Sequence, residues 1–149
     1  MTPWPLDLGR PRAQVRCGRR RGSSQARRGG RTQGIRVLIA GGGIGGLAAA
    51  LSLHAAGIEA ELFEASADPR PLGVGVNLLP HAVRELTELG LDEALAGNAV
   101  ATRELRYVNV HGQTVWAEPR GRAAGYAWPQ YPIHRGTLWR LLWEAAEQR

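Results

Sequence analysis

Five of the six residues at positions 41–46 are glycine: Gly41-Gly42-Gly43-Ile44-Gly45-Gly46. Gly41, Gly43 and Gly46 have the spacing G-x-G-x-x-G, with Ile44 and Gly45 between the last two. Each glycine has a task in that spacing. The first permits a tight turn out of a strand, the second lets backbone approach a pyrophosphate, and the third lets a helix pack close to the strand. A helix starting here offers unpaired N–H groups and a partial positive charge to phosphate oxygens. Glu64 follows eighteen residues after Gly46. A carboxylate there can accept hydrogen bonds from both hydroxyls of an adenosine ribose, and it disfavours a 2′-phosphate. The pattern therefore predicts FAD or NAD rather than NADP, and the residues alone leave the choice between those two open. The bland alternative is a glycine-rich turn with no ligand; the joint spacing of strand, glycines, helix and acid argues against it.

The elements that must hold these residues are legible. Residues 35–40 form a short, β-branched, apolar run, as expected of a buried parallel strand. Residues 47–56 are good or fair helix formers, and Gly57 stands where a C-terminal cap belongs. Residues 60–64 read as a second strand, which makes a βαβ unit of about thirty residues with a right-handed crossover. A turn-rich segment with Pro69, Pro71, Gly73 and Gly75 comes next. A helix is expected over 79–89, with Val83, Leu86 and Leu89 on one face, and Gly90 ends it. A short helix follows at 92–96. Residues 103–110 and 114–117 read as a hairpin turning at His111-Gly112-Gln113. A loop is expected over 118–132 and a last helix from 136 onward. The fold class is α/β: a Rossmann-like βαβ unit followed by the start of a β-rich region.

Composition bounds the rest. The chain has 149 residues, 44% of them hydrophobic, enough for one domain with a core. No apolar run approaches the ~18 residues that span a bilayer. A single cysteine, Cys17, excludes a disulfide framework and a cysteine-based zinc site. The net charge of +6 suggests nucleic acid, but its distribution does not. Residues 1–34 carry nine arginines against Asp7, whereas 35–149 carry ten arginines against twelve acids. Every cation is arginine, which points to coding bias. Residues 1–34, rich in Pro, Gly and Arg, are expected to be disordered. They read best as a non-functional extension, ahead of a transit peptide or an arginine arm for nucleic acid. No export signal is evident, which makes the cytoplasm the expected location.

Resemblance settles what spacing cannot. Residues 36–64, with Gly41, Gly43, Gly46, Leu47, Ala50, Leu53, Gly57 and Glu64, resemble the dinucleotide fingerprint of the FAD-dependent aromatic-hydroxylase monooxygenases. Residues 70–80, Arg-Pro-Leu-Gly-Val-Gly-Val-Asn-Leu-Leu-Pro, resemble the family loop beside the isoalloxazine ring. Residues 131–138, Tyr-Pro-Ile-His-Arg-Gly-Thr-Leu, resemble the segment whose arginine contacts FAD. Residues 104–120 and 128–131 look closest to the phenazine hydroxylases that act on 5-methylphenazine-1-carboxylate. The resemblance implies that NAD(P)H reduces bound FAD and that O2 then forms a flavin C4a-hydroperoxide, which hydroxylates a small, electron-rich aromatic substrate. It implies cofactor contacts from Gly73, Gly75, Val76 and Arg135 beside those of Gly41, Gly43, Ile44, Gly45, Gly46 and Glu64. Arg70 and Asn77 are weaker candidates. No side-chain nucleophile is needed, and no catalytic residue is named.

Other residues read blandly. His54, His81, His111 and His134 lack metal-ligand spacing, and Trp139 and Trp143 sit four apart on the last helix as a packing face. Trp128 and Tyr131 suit either a planar pocket or the core. The family enzymes are about three times this length. The chain is therefore expected to be an N-terminal portion, inactive alone as a hydroxylase, with oligomeric state open. Another FAD- or NAD-dependent oxidoreductase and a non-catalytic dinucleotide-binding remnant are the competing readings.

Overall fold

A computed structural model describes residues 13–17, 36–66 and 73–149. They fall into two compact units, residues 1–69 with 146–149, and residues 70–145.

The first unit is a three-stranded sheet with one helix. β1 (Ala13–Cys17), β2 (Arg36–Ala40) and β3 (Glu59–Glu64) lie in the order β1-β3-β2, and α1 (Ile44–Ala55) connects β2 to β3. β2 and β3 run parallel from Arg36 opposite Glu59 to Ala40 opposite Phe63, as a βαβ unit requires. α1 packs mainly on β3. Leu47, Ala50 and Leu51 from the helix and Ala60 and Leu62 from the strand are buried. The helix starts three residues before the expected position and takes in Gly45 and Gly46, weak helix formers that tertiary context overrides. At its other end Gly57 has φ +75°. Its N–H donates to the His54 carbonyl and that of Ile58 to the Leu53 carbonyl, the paired closure of a Schellman motif. The buried Glu61 on β3 forms an ion pair with Arg36.

β1 corrects the expectation that residues 1–34 are disordered. Ala13–Cys17 pairs antiparallel with β3, Ala13 opposite Glu64 and Cys17 opposite Ala60. Its sequence, Ala-Gln-Val-Arg-Cys, alternates apolar and polar residues, a short period-2 signal that the surrounding arginine, proline and glycine obscure. The ladder partners come from β3, and Val15 opposite Leu62 supplies the buried side chain. The remainder of 1–34 lies outside the described residues.

The second unit opens with β4 (Gly75–Leu78), α2 (Pro80–Glu88) and α3 (Asp92–Asn98). Pro80 occupies the first turn of α2, where its missing N–H costs nothing. Val83 and Leu86 are buried while Arg84, Glu85 and Glu88 face solvent, as the spacing requires. β5 (Glu104–Val108) and β6 (Thr114–Pro119) form the expected hairpin, closed by Asn109, whose side-chain oxygen accepts the N–H groups of His111 and Gln113. Tyr107 pairs with Trp116 across it, ring centroids 5.8 Å apart, and both remain exposed. The expected loop over 118–132 is more ordered than predicted. It holds the end of β6, a short 3₁₀ turn at Gly121–Ala124 and the start of β7 (Tyr131–His134). α4 (Arg135–Glu147) follows at once, with Leu138, Leu141 and Leu142 buried. Trp139 and Trp143 stack on one another at 5.2 Å along its side.

β4 and β7 pair antiparallel, with Asn77 opposite Pro132. Both fall in segments read as turn or loop. Each has four residues, one opens with glycine and the other contains proline, so the brief alternation of Val76 with Leu78 and of Tyr131 with Ile133 is too short to mark a strand in the sequence. Their pairing is a tertiary event.

Two outcomes follow. A Cβ at position 46 would sit 2.0 Å from the Gly41 carbonyl oxygen, a backbone atom that cannot rotate away. Gly46→Ala is expected to destabilise the first unit by roughly 3 kcal/mol, the upper end of overpacking costs, read by thermal unfolding. Val15→Asp should release β1 at about 1.5 kcal/mol or more, seen as lost amide protection along the β1 edge of β3.

Candidate functional site

The first unit assembles the loop and the acid. β2 ends at Ala40, and the Gly41 N–H continues the ladder by donating to the Phe63 carbonyl at 2.8 Å. Gly41 then turns the chain with φ +105°, a region open to glycine and strained for other residues. The Gly42 N–H donates to Glu64 Oε2 at 2.7 Å, and the Ser66 N–H donates to Glu64 Oε1 at 2.8 Å. The Ser66 amide, then that of Gly42, with a lesser contribution from Ala65, holds the Glu64 carboxyl below the ordinary glutamate value. Glu64 is therefore a carboxylate at neutral pH, able to accept further hydrogen bonds from hydroxyl donors.

Gly43 stands at the N-cap of α1, and its carbonyl accepts the Leu47 N–H at 3.0 Å. No side chain caps this helix start, so its first N–H groups are left for another acceptor. A Cβ built at Gly41, Gly43 or Gly45 meets nothing within 4 Å, whereas one at Gly46 collides with backbone. The four glycines thus divide. Gly46 is needed for packing inside the protein, while Gly43 and Gly45 leave open space in front of the loop. That space, the uncapped amides and the nearby carboxylate fit a dinucleotide: phosphates on the loop, ribose hydroxyls on Glu64.

The second unit joins two motifs separated by some sixty residues of sequence. In the β4–β7 pair Gly75 lies opposite His134 and Val76 opposite Ile133. The Arg135 N–H extends the ladder to the Val74 carbonyl at 3.0 Å. Gly73, Gly75 and Val76 are thereby placed beside Arg135, the first residue of α4. The Arg135 side chain is exposed and forms no ion pair with an acid among the described residues. The His134 ring explains Gly73: a Cβ there would lie 2.7 Å from Nε2, while Nδ1 accepts the Gly136 N–H at 3.2 Å. Gly75 meets no such neighbour. Asn77 is exposed and Val76 half-buried. Arg70 lies outside the described residues.

Sequence reasoning missed Gly42 and Ser66 as partners of Glu64, and His134 as the side chain packed against Gly73. The first could have been suspected from an acid ending the strand next to the loop; nothing in the spacing signals the second. Among the described residues no His, Cys, Asp and Glu cluster could hold a metal, and no helix is long and apolar enough to cross a membrane.

Comparison with known proteins accords with this geometry. Phenazine 1,6-dicarboxylic acid hydroxylase PhzS of Lysobacter antibioticus is 54% identical over 114 residues, 76% of this chain and 28% of that protein. The 3-hydroxybenzoate 6-hydroxylase of Klebsiella oxytoca is 36% identical over 115 residues, 75% of this chain and 29% of that protein. The chain thus spans less than a third of the length of these curated relatives. Among solved structures, 2-methyl-3-hydroxypyridine-5-carboxylic acid oxygenase superposes with a TM-score of 0.66 at 26% identity, over 78% of this chain and 30% of that one. HpxO of Klebsiella pneumoniae, complexed with FAD and uric acid, shares the fold with a TM-score of 0.64 at 22% identity, over 74% of this chain and 28% of that one. The expected phenazine ring recurs in the name of the first relative, with a dicarboxylic rather than a 5-methyl monocarboxylic substitution. The family model described as FAD binding domain matches residues 34–149, and the chain belongs to that family.

Proposed function

We propose that this chain carries the FAD-binding part of a monooxygenase that uses NAD(P)H and O2 to hydroxylate a small aromatic, phenazine-like substrate. The observation that carries the reading is the loop at Gly41–Gly46 with Glu64 held against it, in a chain that resembles a phenazine hydroxylase at 54% identity. The activity is proposed for a protein of the relatives' length; these residues supply the cofactor site.

Bound FAD would supply hydride acceptance and oxygen activation. The residue roles belong to the same proposal. Gly43, Ile44 and Gly45 present amides and open space to the pyrophosphate, while Gly41 and Gly46 fix the loop that does so. Glu64 accepts from the adenosine ribose. Arg135, exposed and without an acidic partner among the described residues, is proposed to bind a phosphate or ribose oxygen of FAD. Gly75 and Val76 lie on the strand paired with the one leading into Arg135, with Gly73 just before it, and their backbone is proposed to lie along the flavin ring. The absence of a nucleophile–base pair in this scheme suits a reaction in which the protein positions groups and the cofactor reacts.

The visible absorption spectrum of the purified chain with added FAD tests the reading. Bands shifted from those of free flavin are expected. Gly43→Val should abolish them while leaving the fold intact, since a Cβ at that position meets nothing within 4 Å. Arg135→Ala should weaken FAD roughly tenfold or more, as loss of one charge-assisted hydrogen bond does. An unshifted spectrum in the unaltered, folded chain would overturn the proposal that these residues by themselves hold the cofactor.

A further inference from the structure

We propose that Glu64 is a positioning residue, whose carboxylate holds the glycine loop in its binding conformation before any nucleotide arrives. The β2–β3 ladder runs to Ala40 opposite Phe63, and the Gly41 N–H adds one more bond to the Phe63 carbonyl. There the chain turns away at Gly41, and the backbone of β3 can no longer reach it. The next amide, Gly42, is buried, and in the alternation of a parallel ladder it is not one that the β3 backbone accepts. Glu64 Oε2 accepts it instead at 2.7 Å, across 22 residues of sequence. The other oxygen is fixed by Ser66 N–H at 2.8 Å, so the carboxylate cannot swing away from the loop without losing both bonds. The side chain thus stitches loop to strand where the backbone ladder stops.

The arrangement does not use up the carboxylate. Two oxygens offer about four lone-pair directions, and the Gly42 and Ser66 amides occupy one on each, with a lesser contribution from Ala65. Acceptor capacity is left for a hydroxyl donor. On the dinucleotide reading, which this inference deepens, a ribose diol binds Glu64 without releasing Gly42. The loop therefore needs no reordering when ligand arrives, which lowers the entropic cost of binding.

Glu64→Gln separates this from a role in ribose recognition alone. The amide keeps one acceptor oxygen but turns an NH2 group toward the second backbone N–H, donor against donor. Amide exchange is followed by NMR in the nucleotide-free chain, with β2–β3 ladder amides as the control for folding. Exchange at Gly42 is expected to rise about tenfold or more in Glu64→Gln while the ladder amides stay protected. If Glu64→Gln unfolds the ladder, Glu64→Asp, which keeps the charge but is one methylene too short to span both amides, is read the same way. Unchanged Gly42 protection in the folded variant overturns the proposal. Titration with ADP and 2′-deoxy-ADP tests the underlying reading separately. The unaltered chain should prefer ADP, and Glu64→Gln should bind both more weakly, the deoxy ligand included, because the loop itself has loosened. Loss confined to ADP would overturn the positioning role. A chain that binds neither ligand yet shows the Glu64-dependent protection at Gly42 would retain the positioning role and sink the dinucleotide reading.

Discussion

The start of α1 passes so close to the Gly41 carbonyl that residue 46 has no room for a side chain; a methyl carbon there would lie 2.0 Å from that oxygen. This approach sets the rest of the first unit. It brings the helix start back over the end of β2, and so fixes where the first helical amides sit. It also accounts for two poor helix formers in the first turn, since any gain in intrinsic propensity from alanine at 46 would be outweighed by the collision. With the helix placed, Leu47, Ala50 and Leu51 bury against the sheet, and Gly57 closes the far end so that β3 can return parallel to β2.

The loop that results has two surfaces with different demands. Toward the protein it is packed and hydrogen-bonded: Gly46 against Gly41, Gly41 to Phe63, Gly42 to Glu64. Away from the protein it is empty at Gly43 and Gly45 and lacks a side-chain cap. A helix start with glycine at the N-cap and no side-chain cap ordinarily costs about a few tenths of a kcal/mol. Here it is what leaves amides available to a phosphate, so the structural shortfall and the binding capacity have one origin.

The second unit solves a different problem. Two short segments with little strand character, Gly75–Leu78 and Tyr131–His134, are held extended by each other. Their pairing leads directly into α4, which puts Arg135 at a fixed position beside Gly73–Val76. The His134 ring lies close over Gly73, so a side chain at that position would have to displace the ring. A glycine-rich stretch can thus look like a ligand loop for two unlike reasons, and Gly73 and Gly75 illustrate both: one is pressed by a histidine, the other faces no neighbour.

The βαβ unit, its glycine loop, Glu64, the amphipathic helix with Val83 and Leu86, and the hairpin were all legible in the amino-acid order. Each rests on local rules: the 3.6- and 2-residue periods, the special freedom of glycine, and the fixed rise of strand and helix. Even so, the sequence left FAD and NAD unseparated without resemblance to a family. Tertiary structure decided what local rules do not encode. Ala13–Cys17 alternates apolar and polar residues, but only the edge of β3 gives so short a segment a ladder partner. Gly75–Leu78 and Tyr131–His134 become strands because each completes the other. Glu64, readable as a ribose acceptor, acquires Gly42 as a partner because the parallel register carries β3 one residue beyond the point where the loop departs. Such pairings join residues 20 to 60 positions apart. Spacing fixes which residues share a face of one element, but only the packed chain fixes which elements meet.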